Sequence, residues 1–226
     1  MGKRVLHDRY FKQAKAEGYA ARSAYKLTEI DDRHKILGRG TRVLDLGCSP
    51  GSWLQVASER VGPKGRVVGI DLKPVAIPEP ANVRTFVGDM RTADAGEWCR
   101  AAGGARFDAV ISDMAPNTTG AGDDLVSAQL CREVLAVLPR AIKPGGRLVM
   151  KILEGSEYTA VLRETNRLFD DAKGFKPKAS RDVSREMFIV AWRYKGPLEH
   201  VDLDEAGEAP MEPTGDSAGT TTGPRP

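Results

Sequence analysis

Six short apolar runs recur along the chain: Val43-Leu44-Asp45-Leu46, Val67-Val68-Gly69-Ile70, Val83 to Val87, Phe107 to Ser112, Arg147 to Leu153 and Met187 to Trp192. Their length and near-continuous apolarity predict strands covered on both faces. Between them apolar residues fall at helical spacing. Ala24, Leu27 and Ile30 form one stripe, predicting a helix over 22–35, and Leu130, Val134, Val137 and Leu138 form another, predicting a helix over 125–142. Helical composition also resumes at Trp53 and again from Ser156 to Phe169. Gly38-Arg39-Gly40 and Lys143-Pro144-Gly145-Gly146 punctuate the pattern, and Pro74, Pro78 and Pro80 exclude a long helix after the second strand. Alternating strands and helices predict an α/β fold with a doubly wound, mostly parallel sheet.

Polar residues that interrupt this pattern carry the candidate chemistry. The first strand stops at Gly47-Cys48-Ser49-Pro50-Gly51, where small residues and a fixed turn let a ligand approach the backbone. A dinucleotide fingerprint anchored at Gly47 would need glycine at Ser49 and Ser52, and the Gly-Lys-Ser/Thr of a phosphate-cradling P-loop is absent here. Asp45 before that turn and Asp71 at the end of the second strand resemble the S-adenosyl-L-methionine loop of Rossmann-like methyltransferases. Asp89 and Asp113 close the third and fourth strands, so four acids converge on the edge where open parallel sheets bind ligands. They repel one another unless cations or a cationic ligand sit among them. Lys151 lies inside the apolar fifth strand, where an ammonium must reach solvent, pair with a carboxylate or do chemistry.

Composition refines the partner class. With 226 residues and 41% apolar content, the chain suits one core with appendages. Its net charge of +3 hides an asymmetry, since residues 199–226 carry seven acids against Arg225 alone and leave 33 bases against 24 acids elsewhere. A basic body suits a polyanion. Residues 1–26 hold seven bases and two acids interleaved with Tyr10, Phe11, Tyr19 and Tyr25, a mixture suited to phosphates and unpaired bases. Three parts are expected: a basic helical extension over 1–37 that contacts RNA, a Rossmann-like domain over 38–197, and an acidic tail over 198–226 too poor in apolar residues to order. Cys48, Cys99 and Cys131 lack CxxC spacing and the three histidines are scattered, predicting neither a disulfide framework nor a metal site. No run approaches the about 18 apolar residues of a membrane span, and no apolar signal region follows Met1, so a cytosolic protein without a membrane partner is expected.

Five motifs in order identify a more specific resemblance. Arg22-Ser23-Ala24-Tyr25-Lys26-Leu27, Asp45-Leu46-Gly47-Cys48-Ser49-Pro50-Gly51-Ser52-Trp53, Ser112-Asp113-Met114-Ala115-Pro116-Asn117, Met150-Lys151 and Ser184-Arg185-Glu186 resemble the FtsJ family of ribosomal RNA ribose 2'-O-methyltransferases. The resemblance covers residues 8–194. It implies a Rossmann-like S-adenosyl-L-methionine-dependent fold whose mostly parallel sheet includes one antiparallel strand. It further implies methylation of a uridine 2'-hydroxyl in large-subunit (23S) ribosomal RNA, within the assembling or assembled 50S subunit, by a monomer. The family's Lys-Asp-Lys-Glu tetrad falls on Lys26, Asp113, Lys151 and Glu186, and its cofactor positions fall on Gly51, Trp53, Asp71, Asp89 and Asp113. Lys151 is then base or oxyanion stabiliser, Asp113 its orienter, and Lys26 and Glu186 position ribose and phosphate. Cys48 replaces the family's usual alanine, which would make the cofactor loop sensitive to thiol reagents, and Phe188 stands where tyrosine is common. Methylation of another RNA, such as a transfer RNA, and a non-catalytic role in ribosome assembly are the alternatives.

Overall fold

The computed structural model describes residues 10–116, 120, 122–180 and 184–196. The expected tail, the first nine residues of the basic arm, and the loop positions 117–119 lie outside the described residues. After α1 (residues 10–16) the elements run α2 (Ala24–His34), β1 (Arg42–Leu46), α3 (Ser52–Val61), β2 (Arg66–Asp71), β3 (Val83–Val87), α4 (Ala95–Ala101), β4 (Phe107–Ser112), α5 (Asp123–Ala141), β5 (Ile142–Leu153), α6 (Tyr158–Leu168), β6 (Phe169–Phe175) and β7 (Glu186–Tyr194).

The seven strands form one sheet in the order β3-β2-β1-β4-β5-β7-β6. Only β7 runs against the others: it is antiparallel to both β5 and β6, while β1 to β5 pair in parallel. Successive strand residues point to opposite faces, so β1 sends Leu44 and Leu46 one way and Val43 and Asp45 the other. Leu44 and Leu46 join Trp98, Leu138 and Val161 in the layer of α4, α5 and α6. Val43 joins Leu27, Ile30, Trp53 and Leu54 in the layer of α2 and α3. The helix spanning Lys26 is therefore anchored in the same core as the sheet. Its two fully buried anchors, Leu27 and Ile30, each supply about 1.5–3 kcal/mol of apolar transfer free energy.

Three elements differ from the sequence expectation. The helix expected to reach Phe169 ends at Leu168, and β6 begins where the basic segment was expected to be unstructured. β6 is an edge strand whose Asp170, Asp171 and Lys173 are exposed, so its charges protect a free edge and erase the apolar signal. The short helix α4 was not anticipated. Seven residues are too few to show a period, and it is held by Trp98 and by the Asp94 carboxylate, which accepts from Gly96 N at 2.8 Å. The Lys143-Pro144-Gly145-Gly146 stretch lies within β5, where an irregularity in the pairing with β4 separates Phe107↔Ile142 from Ala109↔Arg147.

Candidate active site

The turn after β1 is shaped by close backbone approach. Gly47 and Gly51 adopt φ of +77° and +114°. A Cβ at Gly47 would come within 2.1 Å of Met114 Cγ, and one at Gly51 within 2.7 Å of Ile77 Cγ1. Both positions need glycine. Gly47 N and Cys48 N donate to Ile70 O at 2.8 and 3.3 Å, and Ser49 N donates to Asp71 Oδ2 at 3.0 Å. Asp71 Oδ1 accepts from Lys73 N at 2.8 Å. These bonds bring the turn and the end of β2 to one rim of a cavity of about 560 Å³.

Three of the five expected cofactor residues, Asp71, Asp89 and Asp113, line that cavity, beside Gly47, Ser49 and Met114. Gly51 and Trp53 do not. Gly51 is the N-cap of α3, and the Trp53 ring is buried, stacked on Phe188 at 5.8 Å between centroids and donating from Nε1 to Ser23 O at 3.0 Å. Burial of the ring leaves Trp53 only the backbone N–H of the first turn of α3 to offer a ligand.

Asp89 is already engaged. Arg91 grips it from Nε at 2.9 Å and from Nη2 at 2.6 Å, and this side-chain pair, with a backbone N–H from the same residue, holds the carboxyl down at about 2. Arg91 also lies 3.6 Å from Glu133, and both line the cavity. Sequence reasoning passed over Arg91, although an arginine two residues after an acid is placed to fold back onto it. Arg140 then fixes this loop by donating to the carbonyls of Met90, Arg91 and Ala93.

Asp45 differs from the other three acids. It is 1% exposed and neither carboxylate oxygen has a hydrogen-bond partner. Burial first, then the charges of Asp113 and Asp71, push its pKa well above the usual carboxylate range. A buried acid without a donor beside a cavity fits a cationic ligand, as the sulfonium and ammonium groups of S-adenosyl-L-methionine would provide.

The four tetrad residues converge from distant parts of the chain. Lys151 Nζ lies 3.0 Å from Asp113 Oδ1 and donates to Asp113 O at 2.5 Å. Lys26 Nζ donates to Glu186 Oε2 at 2.8 Å. The β5–β7 pairing sets Lys151 opposite Phe188 and Leu153 opposite Glu186, which places the two ion pairs on neighbouring strands. Burial would raise the Glu186 pKa, but the charge and hydrogen bond of Lys26, with the charge of Lys151 and the Ser184 hydroxyl, outweigh it and leave the carboxyl below its ordinary value. Lys26 also lies 6.0 Å from the centre of the Phe188 ring. Phe188 is fully buried between Trp53 and this ammonium, packing that asks nothing of a phenolic hydroxyl.

Two expectations change. Cys48 is 4% exposed, and burial, with the charges of Asp45 and Asp71, pushes its thiol up, so the residue is shielded from thiol reagents in the folded chain. The tyrosines of the basic arm are engaged with one another: Tyr10 and Tyr19 lie 5.5 and 5.9 Å from Tyr25, whose hydroxyl donates to Glu17. Phe11, at 62% exposure, is the ring of that set left open to solvent. Among the described residues no group of three His, Cys, Asp or Glu side chains is placed to hold a metal ion, and no helix is long and apolar enough to cross a membrane.

Comparison with known proteins follows this geometry. The sequence model of the FtsJ-like methyltransferase family matches residues 19–194. The chain is 44% identical over 197 residues to the ribosomal RNA large subunit methyltransferase E of Desulfatibacillum aliphaticivorans, covering 86% of this chain and 94% of the relative. It is 39% identical to the protein of the same name from Pseudomonas fluorescens, covering 87% and 95%. The crystal structure of a ribosomal RNA methyltransferase from Plasmodium falciparum superposes with a TM-score of 0.69 at 28% identity, covering 79% of this chain and all of that one.

Proposed function

Because this chain belongs to the FtsJ-like methyltransferase family, whose enzymes use S-adenosyl-L-methionine, we propose that it methylates a uridine ribose 2'-hydroxyl in large-subunit (23S) ribosomal RNA. The observation that carries this reading is the pairing of Lys151 with Asp113 and of Lys26 with Glu186 beside the cavity that the four strand-terminal acids approach. When bound, the cofactor supplies an electrophilic methyl group on a positively charged sulfur.

The protein's task is to present the ribose oxygen and manage its proton. Lys151 Nζ directs two donors at Asp113, one to the side chain and one to the backbone carbonyl. One position on the nitrogen then remains for the 2'-oxygen. It is a third N–H if the group acts as oxyanion stabiliser and a lone pair if it acts as base. Asp113 orients that nitrogen and also lines the cofactor cavity, which couples the proton-handling group to the methyl donor. Lys26 and Glu186 form a second fixed pair whose free donors and lone pairs position the ribose and its phosphate. Holding the reacting atoms in line supplies much of the acceleration.

The preferred substrate is the assembling or assembled 50S subunit, reached by a monomer in the cytosol. The basic extension over 1–37 contributes RNA contacts and the acidic tail over 198–226 screens them. Tritium transfer from labelled S-adenosyl-L-methionine to large subunits purified from cells lacking this protein tests the reading. Incorporation at one uridine ribose is expected. Incorporation into transfer RNA alone would redirect the substrate, and binding without incorporation would leave a non-catalytic assembly factor.

A further inference from the structure

The catalytic roles above use three of the four acids at this edge of the sheet and leave Asp45 without one. Its neighbours are accounted for. Asp71, at the end of β2, accepts two backbone N–H groups, Asp113, after β4, is paired with Lys151 on β5, and Cys48 in the turn is a buried neutral thiol. Asp45 alone receives no hydrogen bond on either oxygen, at 1% exposure. The strand alternation sends its side chain toward α2 and α3, under the Gly47 to Gly51 turn whose far side forms the cavity wall. A carboxylate that is desolvated, without donors and close to two further acids costs more than its surroundings return, and such a group takes up a proton instead. A cation brought into the cavity reverses that balance.

The geometry points to Asp45 as a proton-exchanging counter-charge for the cofactor: its carboxyl carries a proton when no cation occupies the site and releases it when the ammonium of the donor's methionine portion enters. The ammonium is the partner favoured here because Asp45 underlies the glycine turn, whereas Asp113 and Lys151 stand at the reacting end. This rests on the cofactor reading above, and it adds that cofactor uptake is coupled to proton release. Affinity for the donor then rises with pH by up to about tenfold per unit, until Asp45 is ionised in the free protein as well.

Calorimetric binding to the full chain, between pH 6 and 6.5 in buffers of different ionisation enthalpy, counts the protons directly. At that pH the ligand's own α-amino group, with a pKa of about 7.7–8.0, is already charged. About one proton should be released with S-adenosyl-L-methionine and with S-adenosylhomocysteine, and none with 5'-methylthioadenosine, which lacks the amino-acid portion. Asp45→Asn, which keeps the shape and removes the titration, should bind without proton release and with a flat pH dependence. Donor binding with buffer-independent enthalpy would overturn the inference while leaving the cofactor reading intact. Equal release with 5'-methylthioadenosine or from Asp45→Asn would assign the proton elsewhere and overturn it too. Absence of any donor binding would remove the cofactor reading itself. If Asp45→Asn does not fold, the wild-type proton count and the three-ligand comparison still decide.

Discussion

The two edges of the sheet each carry a cleft, and the clefts are nearly equal in size, about 560 Å³ at the carboxyl ends of the strands and about 570 Å³ at the amino ends of β1 to β3. Both are lined by charged and polar residues. At the amino edge those groups are spent on the fold. Asn82 donates to the carbonyls of Ser58 and Gly62 and accepts from Ser58 Oγ at 2.6 Å, Arg66 donates to Pro63 O and Gly65 O, and Arg39 donates to Glu59 O. They close the C-terminal end of α3, where backbone carbonyls have no partners within the helix. At the carboxyl edge Asp45 has no partner, and two lysines are held in pairs that leave donors free. Volume does not separate a site from a surface cleft here; residual hydrogen-bonding and charge capacity does.

Substitutions should break this comparison in opposite ways. The largest effect is expected at Lys151→Ala and Asp113→Ala, each lowering methylation by about 10²–10⁴-fold, with donor affinity falling mainly in the second. Single-turnover methyl transfer beside a donor-binding titration separates the two, and near-normal turnover by Lys151→Ala would remove the proposed chemistry. If Lys151 acts as a base, the single-turnover rate of the wild type rises with pH until the amine is neutral; a flat profile favours the stabiliser role.

A smaller loss, on the order of ten- to a hundredfold in turnover, is expected for Glu186→Gln, because Lys26 loses its partner at 2.8 Å and the ribose its fixed frame. The same pair has a stability signature. The Glu186 pKa is lowered from 4.5, so its contribution is fully present above that value and is lost as pH falls through the lower folded value. Chemical denaturation at pH 7 and below pH 4 should show the deficit of Glu186→Gln shrinking in acid; a constant deficit would mean that the pair does not hold the charge.

At the opposite edge, Asn82→Ala should cost about 1–3 kcal/mol of stability by stripping bonds from the end of α3, with unchanged methylation per folded molecule. Loss of turnover at preserved stability would make that cleft a second functional site. The smallest effect concerns Cys48. A thiol-modifying probe should label it on the order of tenfold or more slowly than an unburied cysteine, and mass mapping of the modified residue checks this.

Much of the site was legible in the chain because strand ends are legible. In a parallel sheet every strand points the same way, so Asp45, Asp71, Asp89 and Asp113, each closing an apolar run, had to meet at one edge. Lys151 was visible because a lysine inside an apolar strand is costly without a purpose. The tetrad as a set was found by resemblance rather than by spacing, since Lys26 and Glu186 are 160 residues apart. The edge strand β6 and the helix α4 left little trace, one because exposed charges mask its apolar face and the other because it completes only two turns.

Local composition and periodicity thus determined which segments become strands, where the ligand edge lies and which residue types reach it. Only the tertiary structure decided the partners: that Lys151 goes to Asp113 and Lys26 to Glu186, that Arg91 closes on Asp89, that the Trp53 ring turns inward, and that Asp45 is left with none. The reason is range. Backbone conformation and burial of a face follow from neighbours a few residues away, whereas the state of a charge depends on every group that folding brings within a few ångströms of it, from anywhere in the chain.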